Sequence, residues 1–413
     1  MKILVIFGTR PEAIKMAPLV KALGAQPGLQ VRVCVTGQHR EMLDPVLRLF
    51  AIKPDYDLNI MQPGQSPSSV TSAVISGLEP ILQIWRPAMV LVHGDTATTF
   101  AASLAAYHQH IDVGHVEAGL RTGNLYSPWP EEGNRRLTGI LAKLHFAPTE
   151  EARDNLLSEG ICADKIHVTG NTVIDALQEV KRKLEGDELL QHSLRSFFGY
   201  LRKNGRLVLI TGHRRENFGK GLENICMAVR TLAGEFPGTD FLYPIHPNPK
   251  VLQPVKVMLQ NLDNVHLVSP QEYLPFVYLL MRSHVILTDS GGIQEEALAL
   301  GKPVLVTRDC TERPEAVKAG GAKLVGCGKD RVLRNLRRLL RDESECLAMA
   351  GAYNPYGDGN ACARITSVLN DYKLRFAAAP ETSDDTMFLQ GVGITRPEIL
   401  SPVATPGSST RLG

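Results

Sequence analysis

Features typical of membrane, nucleic-acid-binding and disulfide-rich secreted proteins are lacking in this chain. It contains no apolar run of membrane-spanning length. Its 45 Lys and Arg nearly balance its 43 Asp and Glu, so the net charge of +2 indicates neither a nucleic-acid nor a membrane partner. The seven cysteines are odd in number and include no C-x-x-C pair, which predicts reduced thiols. Because Met1-Lys2 leads directly into a strand pattern, we expect a cytoplasmic protein without a signal peptide.

The usual signatures of a bound cofactor are also lacking. No G-x-G-x-x-G follows the first strand, so a tightly held dinucleotide has no fingerprint here. Gly212 and Gly219-Lys220 are similar to a P-loop, but Gly221 stands where that motif requires Ser or Thr. His108 and His110 have no third ligand nearby, which favours a solvated pair over a metal site. The sequence therefore predicts neither a metal nor a nicotinamide cofactor.

What the chain does contain is a repeated alternation of short apolar runs and helical patterns. Its 413 residues, 44% of them hydrophobic, are enough for two domains with a large core. Runs of this kind predict buried parallel strands and an α/β fold. The predicted strands cover residues 2–7, 31–36, 89–93, 112–116, 144–147, 166–168, 207–211, 241–244, 265–268, 285–287, 304–306 and 322–325.

This alternation predicts four segments. We expect a first α/β domain over residues 1–170 and a second over 171–360. A last helix follows at 361–376, and the composition of 377–413, rich in Pro, Ser, Thr and Gly, predicts a disordered tail. Charges at helical spacing over 181–191 indicate one solvated helix.

The stretch 284–300 predicts a strand, a glycine turn and a helix that begins at Ile293. Glycines allow a ligand to approach the backbone, and a helix start favours negative charge. We therefore interpret Ser290–Gly292 as a phosphate cradle. Glu295 and Glu296 are expected in the first helical turn, where a phosphate would repel them. A carboxylate can accept from both hydroxyls of a ribose, which favours a nucleotide with its ribose on Glu296. A tight turn with solvated glutamates is the alternative.

Acidic residues follow two of the predicted strands. Asp95 and Glu117 come just past strand ends, at the sheet edge where parallel sheets bind ligands. Asp95 could instead cap a helix, whereas no evident helix follows Glu117. Arg10 and Lys15 lie at a helix start, where cations are unfavourable unless an anion is bound. Glu131 lies at the start of a predicted helix. Its negative charge could simply interact favourably with the helix dipole.

Ten segments together suggest a family: FGTRPEAIKMAP, TGQHREML, VHGDTATTFAA, HVEAGLRTGN, PEEGNRR, TGHRRENFG, YPIHPNP, DSGGIQEEA, GKPVLVTRDCTERPEA and NPYGDGNA. Over about residues 1–375 the chain resembles the non-hydrolysing UDP-N-acetylglucosamine 2-epimerases of bacteria. The resemblance implies two facing Rossmann-like domains, the GT-B architecture, with the active site in the cleft between them. The last helix would cross back to the first domain. A cytoplasmic homodimer that needs no cofactor and supplies surface polysaccharide synthesis is implied as well.

The resemblance also assigns site residues. Ser290, Gly291, Gly292 and Arg313 would hold the diphosphate, Glu296 the ribose, Gln271 and Phe276 the uracil, and Arg10, Lys15, Asp95, Glu117, Glu131 and His213 the sugar and leaving group. Some relatives bind a second UDP-N-acetylglucosamine that promotes closure; the matching positions are Gln38, Glu131, Arg214 and His246. Glu41 and the absence of a basic residue from 60–69 depart from that pattern.

The implied reaction suits these residue types. The C2 proton is not acidic in UDP-N-acetylglucosamine, but it becomes removable once UDP leaves C1, giving 2-acetamidoglucal. Protonation of the opposite face and return of UDP give UDP-N-acetylmannosamine. Asp95, Glu117 and Glu131 are the candidates for proton transfer, without an assignment to either face of C2. His213 could hydrogen-bond or protonate the leaving phosphate.

Three alternatives remain open on the sequence alone. A GT-B glycosyltransferase would pass the sugar to an acceptor, and a hydrolysing relative would release it. A nucleotide-sugar sensor would bind without turnover. Three acids near a diphosphate argue against the sensor, because binding alone does not require them.

Overall fold

The computed structural model describes residues 1–62, 64–212 and 214–378. Residues Met1–Leu369 form one compact unit that contains two separate parallel sheets. This is the two-sheet α/β architecture that the strand pattern predicts. No helix in the described ranges is long and apolar enough to span a bilayer.

The first sheet has seven strands in the order β3-β2-β1-β4-β5-β6-β7. Its strands are β1 (Lys2–Phe7), β2 (Gln30–Val35), β3 (Tyr56–Asp57), β4 (Met89–His93), β5 (Asp112–Val116), β6 (Leu144–Ala147) and β7 (Ile166–Val168). The helices of this part are α1 (Arg10–Gly24), α2 (Arg40–Leu49), α3 (Pro67–Trp85), α4 (Ala97–His108), α5 (Glu131–Leu141), α6 (Glu150–Ser158), α7 (Thr172–Gly186) and α8 (Glu188–Phe197).

The second sheet has six strands in the order β10-β9-β8-β11-β12-β13. They are β8 (Arg206–Thr211), β9 (Thr239–Pro244), β10 (Val265–Val268), β11 (Val285–Thr288), β12 (Val304–Val306) and β13 (Ala322–Leu324). The helices of this part are α9 (Lys220–Glu235), α10 (Pro249–Leu259), α11 (Tyr273–Arg282), α12 (Gly291–Ala299), α13 (Pro314–Lys318), α14 (Lys329–Arg341), α15 (Glu343–Ala350) and α16 (Ala361–Ala378).

Burial on both faces explains why the strands are nearly all apolar. In β1, Leu4 and Ile6 pack with Leu78 and Leu82 of α3, and all four side chains are fully buried. The second sheet repeats the pattern with its own core cluster. Consecutive residues of β1 and of β8 are buried, so each sheet has the two covered faces that parallel strands require.

The strand order reverses once in each sheet, and these two reversals locate the ligand crevice. In the first sheet the reversal lies between β1 and β4, and in the second between β8 and β11. Open parallel sheets bind ligands at the carboxyl ends of the strands at such a point. The loops after these four strands are therefore the ones expected to form a site.

Three details of the predicted elements are wrong. The single helix over 181–191 is instead two, because Gly186-Asp187 interrupts it and the Asp187 side chain caps α8 by accepting from the Leu190 amide at 2.9 Å. Helix α12 begins at Gly291, not Ile293. Helix α16 runs two residues past the predicted end at 376; the rest of the predicted tail, 379–413, lies outside the described residues.

The domain boundaries at residues 170 and 360 stay a prediction. The amides of Ala361 and Cys362 donate to the Asp175 carboxylate at 3.2 and 2.9 Å, so the start of α16 is attached to α7. Two amides at a helix start paired with one buried acid form a strong local attachment.

Candidate active site

A cavity of about 530 Å³ opens where the loops after β4, β8 and β11 meet the start of α1, the helix that follows β1. Gly94 and Asp95 follow β4, and Gly212 and Ser290 follow strands of the second sheet; all four residues line the cavity. The side chain of Arg10 crosses from the first half and donates to the Gln271 carbonyl at 3.0 Å. Both halves of the chain therefore build one site.

The cavity gathers most residues that the sequence singled out. Those lining it are Arg10, Lys15, Asp95, Glu117, Glu131, Arg214, His246, Gln271, Phe276, Ser290, Gly291, Gly292, Glu296 and Arg313. Gln38 is not among the lining residues; its side-chain oxygen accepts from the Thr98 hydroxyl at 3.0 Å. His213 lies outside the described residues. The individual roles of these residues stay predictions.

The start of α12 has the geometry of an anion cradle. The side chain of its N-cap residue Ser290 accepts no hydrogen bond from the first amides of the helix. A capping side chain therefore does not compete with an anion for these amides. A Cβ at Gly291 would lie 2.6 Å from the Glu312 carboxylate, so a larger residue there would require the Glu312 side chain to move. Glu295 and Glu296 lie beyond the first turn, contrary to the sequence interpretation, and that turn contains no acid.

A buried ion cluster forms one wall of the cavity. Lys15 pairs with Glu117 and Arg313 pairs with Glu295, all at most 9% exposed. Burial alone would raise the pKa of Glu117, but Lys15, His93 and Arg313 outweigh it and hold this pKa well below its usual range. Glu117 is therefore ionised in the absence of a ligand.

Glu117 also has an unusual backbone. Its φ of 63° lies in the left-handed region, which is strained for a side chain of this kind. A strained backbone next to a cavity supports a functional role for this residue.

Asp95 is held by the start of helix α5. Arg135 forms an ion pair with its carboxylate, and the Asn134 side chain donates to its carbonyl at 3.0 Å. Asp95 does not cap α4, because Thr96 does so by accepting from the Thr99 amide at 3.1 Å. The capping interpretation of Asp95 is therefore wrong.

Comparison with known proteins identifies the family. The profile of the UDP-N-acetylglucosamine 2-epimerase family matches residues 21–370. The chain belongs to the UDP-N-acetylglucosamine 2-epimerase family. It is 57% identical to the UDP-N-acetylglucosamine 2-epimerase of Salmonella typhimurium over 91% of this chain and all of that one.

Other members of the epimerase family agree. A probable UDP-N-acetylglucosamine 2-epimerase of Ralstonia nicotianae is 59% identical over 90% of this chain and 99% of its own. The UDP-N-acetylglucosamine 2-epimerase structure from Neisseria meningitidis, solved with bound UDP-GlcNAc, is 54% identical. It superposes with a TM-score of 0.87 over 90% of this chain and all of that one. The expected pair of Rossmann-like domains with a site in the cleft between them is thereby confirmed.

Two residues that line the cavity, Tyr273 and Glu12, have no signal in the sequence analysis. Tyr273 donates its hydroxyl to Glu296 at 2.7 Å. Glu12 accepts from the Thr96 hydroxyl at 2.7 Å and so ties the loop after β4 to α1. In the described part of the chain, no group of three or more His, Cys, Asp or Glu is arranged to hold a metal.

The titration of Glu296 predicts a pH dependence of nucleotide binding. Burial raises the pKa of Glu296 to about 7, and the hydroxyl of Tyr273 opposes that shift. The resemblance assigns the ribose to Glu296, and only the ionised form can accept from both ribose hydroxyls, so this assignment predicts that UDP binds more weakly as the pH falls below 7. Tyr273→Phe should move this midpoint to higher pH, because the ionised form loses a donor.

Calorimetric titration with UDP between pH 5.5 and 8.5 measures this midpoint. Tyr278→Phe is the matched control, since Tyr278 lies on the same helix but stacks on Phe198. A midpoint shared by all three proteins would show that Glu296 does not bind the ribose in its ionised form.

Proposed function

We propose that the chain catalyses the reversible epimerisation of UDP-N-acetylglucosamine to UDP-N-acetylmannosamine at C2. The observation that carries the proposal is one cavity in which a helix start and buried cations face three carboxylates. The bound UDP-GlcNAc in the Neisseria relative supports the same substrate class here.

The diphosphate end of the reaction uses the second half of the chain. The start of α12 and Arg313 would hold the phosphates, with Arg10 and Lys15 reaching them from the first half. The bond from C1 to the phosphate oxygen breaks with its electron pair leaving on UDP, so these cations meet a growing negative charge. Stabilisation that increases towards the transition state is what accelerates the step. His213 is the proposed proton donor to the leaving phosphate, again on the resemblance.

At C2 the carboxylates would move the proton. One accepts it in an anti elimination, and the electrons of the C2–H bond form the double bond of 2-acetamidoglucal. A second returns a proton to the opposite face, and UDP adds back to C1. Asp95, Glu117 and Glu131 all line the cavity, and two faces of C2 need two such groups.

The ion cluster suggests how Glu117 becomes basic enough to act. Lys15 and Arg313 hold its pKa low while no anion is bound. A diphosphate in the cradle competes for the same two cations. Glu117 then loses its counter-charges and gains proton affinity at the moment when substrate is present.

Proton and phosphorus NMR with UDP-N-acetylglucosamine as the sole substrate tests the function. Epimerisation gives UDP-N-acetylmannosamine, with deuterium at C2 when the solvent is D₂O. Free N-acetylmannosamine and UDP would indicate a hydrolysing enzyme. An unchanged spectrum would leave a transferase awaiting an acceptor or a sensor, and so would contradict the proposal.

Regulation by a second UDP-N-acetylglucosamine remains part of the proposal. Glu131, Arg214 and His246 line the cavity, whereas Gln38 does not. The same assay begun from UDP-N-acetylmannosamine alone should be slow and accelerate on adding a trace of UDP-N-acetylglucosamine. Unassisted reverse turnover would show that no second ligand is needed.

The biological setting is also proposed. Ile84, Tyr107, Leu137 and Ile140 are large exposed apolar side chains on α3, α4 and α5, which pack next to one another. These exposed apolar side chains support a homodimer, and a monomeric mass in sedimentation would contradict it. Seven free cysteines suit a reducing cytoplasm. A role in surface polysaccharide synthesis rests on the resemblance alone, and unaltered polysaccharide in a deletion strain would contradict it.

A further inference from the structure

Asn171 lies between β7 and α7, where the two halves of the chain meet, and is only 2% exposed. Its side-chain oxygen accepts from the Val173 amide at 3.1 Å, so it caps α7. Its own amide donates to the Tyr356 carbonyl at 2.7 Å. The residue is therefore held by both its side chain and its backbone.

The side-chain nitrogen of Asn171 makes two further contacts. It donates to Glu117 at 2.7 Å and to Glu295 at 2.5 Å. Carboxylates can only accept and the Val173 amide can only donate, so this network allows one orientation of the side-chain amide. One neutral group thus joins a carboxylate from the first half of the chain to a carboxylate from the second.

We propose that Asn171 is a positioning residue that keeps the Glu117 carboxylate in its working orientation when substrate withdraws the cations; this rests on the proposed function. Without ligand, Glu117 and Glu295 are neutralised by Lys15 and Arg313. A bound diphosphate takes both cations as partners. Two buried carboxylates then face each other, and the amide of Asn171 is the donor that remains to both.

A neutral donor suits this place better than a third cation would. A cation would compete for the diphosphate and keep the pKa of Glu117 low throughout the reaction. The amide orients the carboxylate but leaves it able to take up a proton. Its two donor hydrogens also match the two carboxylates that need one each.

The segment NPYGDGNA, which has no role in the proposed reaction, fixes the backbone of Asn171. In the stretch NPYGDGNA, Tyr356 is 1% exposed and provides the carbonyl that Asn171 binds. A Cβ at Gly170 would lie 3.3 Å from that carbonyl, and φ there is +85°. Close packing of Gly170 against Gly357 therefore brings the two segments together.

Two substitutions separate the donor role from the capping role. Asn171→Ser keeps a residue that caps helices well but loses both N–H donors, and its one hydroxyl hydrogen cannot serve both carboxylates. Asn171→Asp also keeps a cap, but it replaces the donors by a third carboxylate. Asp187→Ser is the control for a change of cap to serine, because Asp187 caps α8 at an exposed position outside the cavity.

The expected result is a loss of turnover with little loss of binding. For Asn171→Ser, kcat should fall roughly 10- to 100-fold, the scale of one hydrogen bond to a charged group, while the Kd for UDP changes less than about threefold. The acid limb of the kcat profile, which reports groups in the substrate complex, should move to higher pH, further in Asn171→Asp. The groups facing Glu117 in this titration are Lys15, His93, Glu295 and Arg313.

A second readout requires no turnover. UDP binding frees the two carboxylates from their cations, so both variants should take up more protons on binding UDP than the wild type. Calorimetry in buffers of different ionisation enthalpy measures that uptake.

Unchanged kcat, acid limb and proton uptake in both variants would overturn the inference. Parallel losses of kcat, UDP binding and Tm, absent from Asp187→Ser, would show a merely structural role. A wild type that forms no UDP-N-acetylmannosamine would refute the proposed function, with proton uptake still testing Asn171.

Discussion

Replacing Glu117 by glutamine should reduce kcat by at least ~100-fold, the usual scale for a general acid or base. The amide has nearly the same shape but cannot take up the C2 proton. It also removes the negative charge that Lys15 pairs with in a site where both side chains are buried. Nucleotide binding should weaken far less, because the cations stay available to the diphosphate.

Steady-state turnover of UDP-N-acetylglucosamine and calorimetry with UDP give the two quantities. Glu159→Gln is a suitable control, since Glu159 also accepts from a cation, Arg121, but does so outside the cavity. Near-normal turnover in Glu117→Gln would remove Glu117 from the mechanism. Equal losses of turnover and UDP affinity would instead indicate a collapsed ion cluster.

His145, in the middle of β6, should make the protein lose stability in mild acid. It is fully buried, and burial with the nearby charge of Arg121 lowers its pKa to about 4. The unfolded chain takes up this proton near pH 6.5, whereas the folded chain does so only near pH 4. Stability therefore falls as the pH drops through this window, by about 2 kcal/mol from this histidine between pH 7.5 and 5.

Urea unfolding at pH 7.5 and pH 5 in wild type and His145→Gln measures that contribution as a difference. The comparison cancels Glu296, whose raised pKa of about 7 acts in the opposite direction. The variant should lose about 2 kcal/mol less than the wild type on acidification. The exposed His192→Gln is the control. Equal losses in wild type and His145→Gln would show that His145 does not contribute to the acid sensitivity.

Much of the fold could be predicted from local pattern. Strands such as Met89–His93 and Asp112–Val116 follow directly from apolar runs ended by turn residues, because a parallel strand is buried on both faces. The two-residue strand Tyr56–Asp57 was not predicted, because so short a run shows no hydrophobic periodicity. The helix break at Gly186-Asp187 was not predicted, because the charged residues on both sides keep helical spacing across it.

The sequence by itself determined the chemical types at the site: a glycine-rich helix start, cations and acids placed after strand ends. It did so because parallel strands share one carboxyl edge, so residues that follow them must gather there. Only the tertiary structure decided which of these side chains meet. Asn171 and Glu295 are 124 residues apart, and Tyr273 meets Glu296 from another helix. Periodicity reports which face of an element is buried, whereas partners, burial and hence the pKa of Glu117 depend on how distant elements pack against each other.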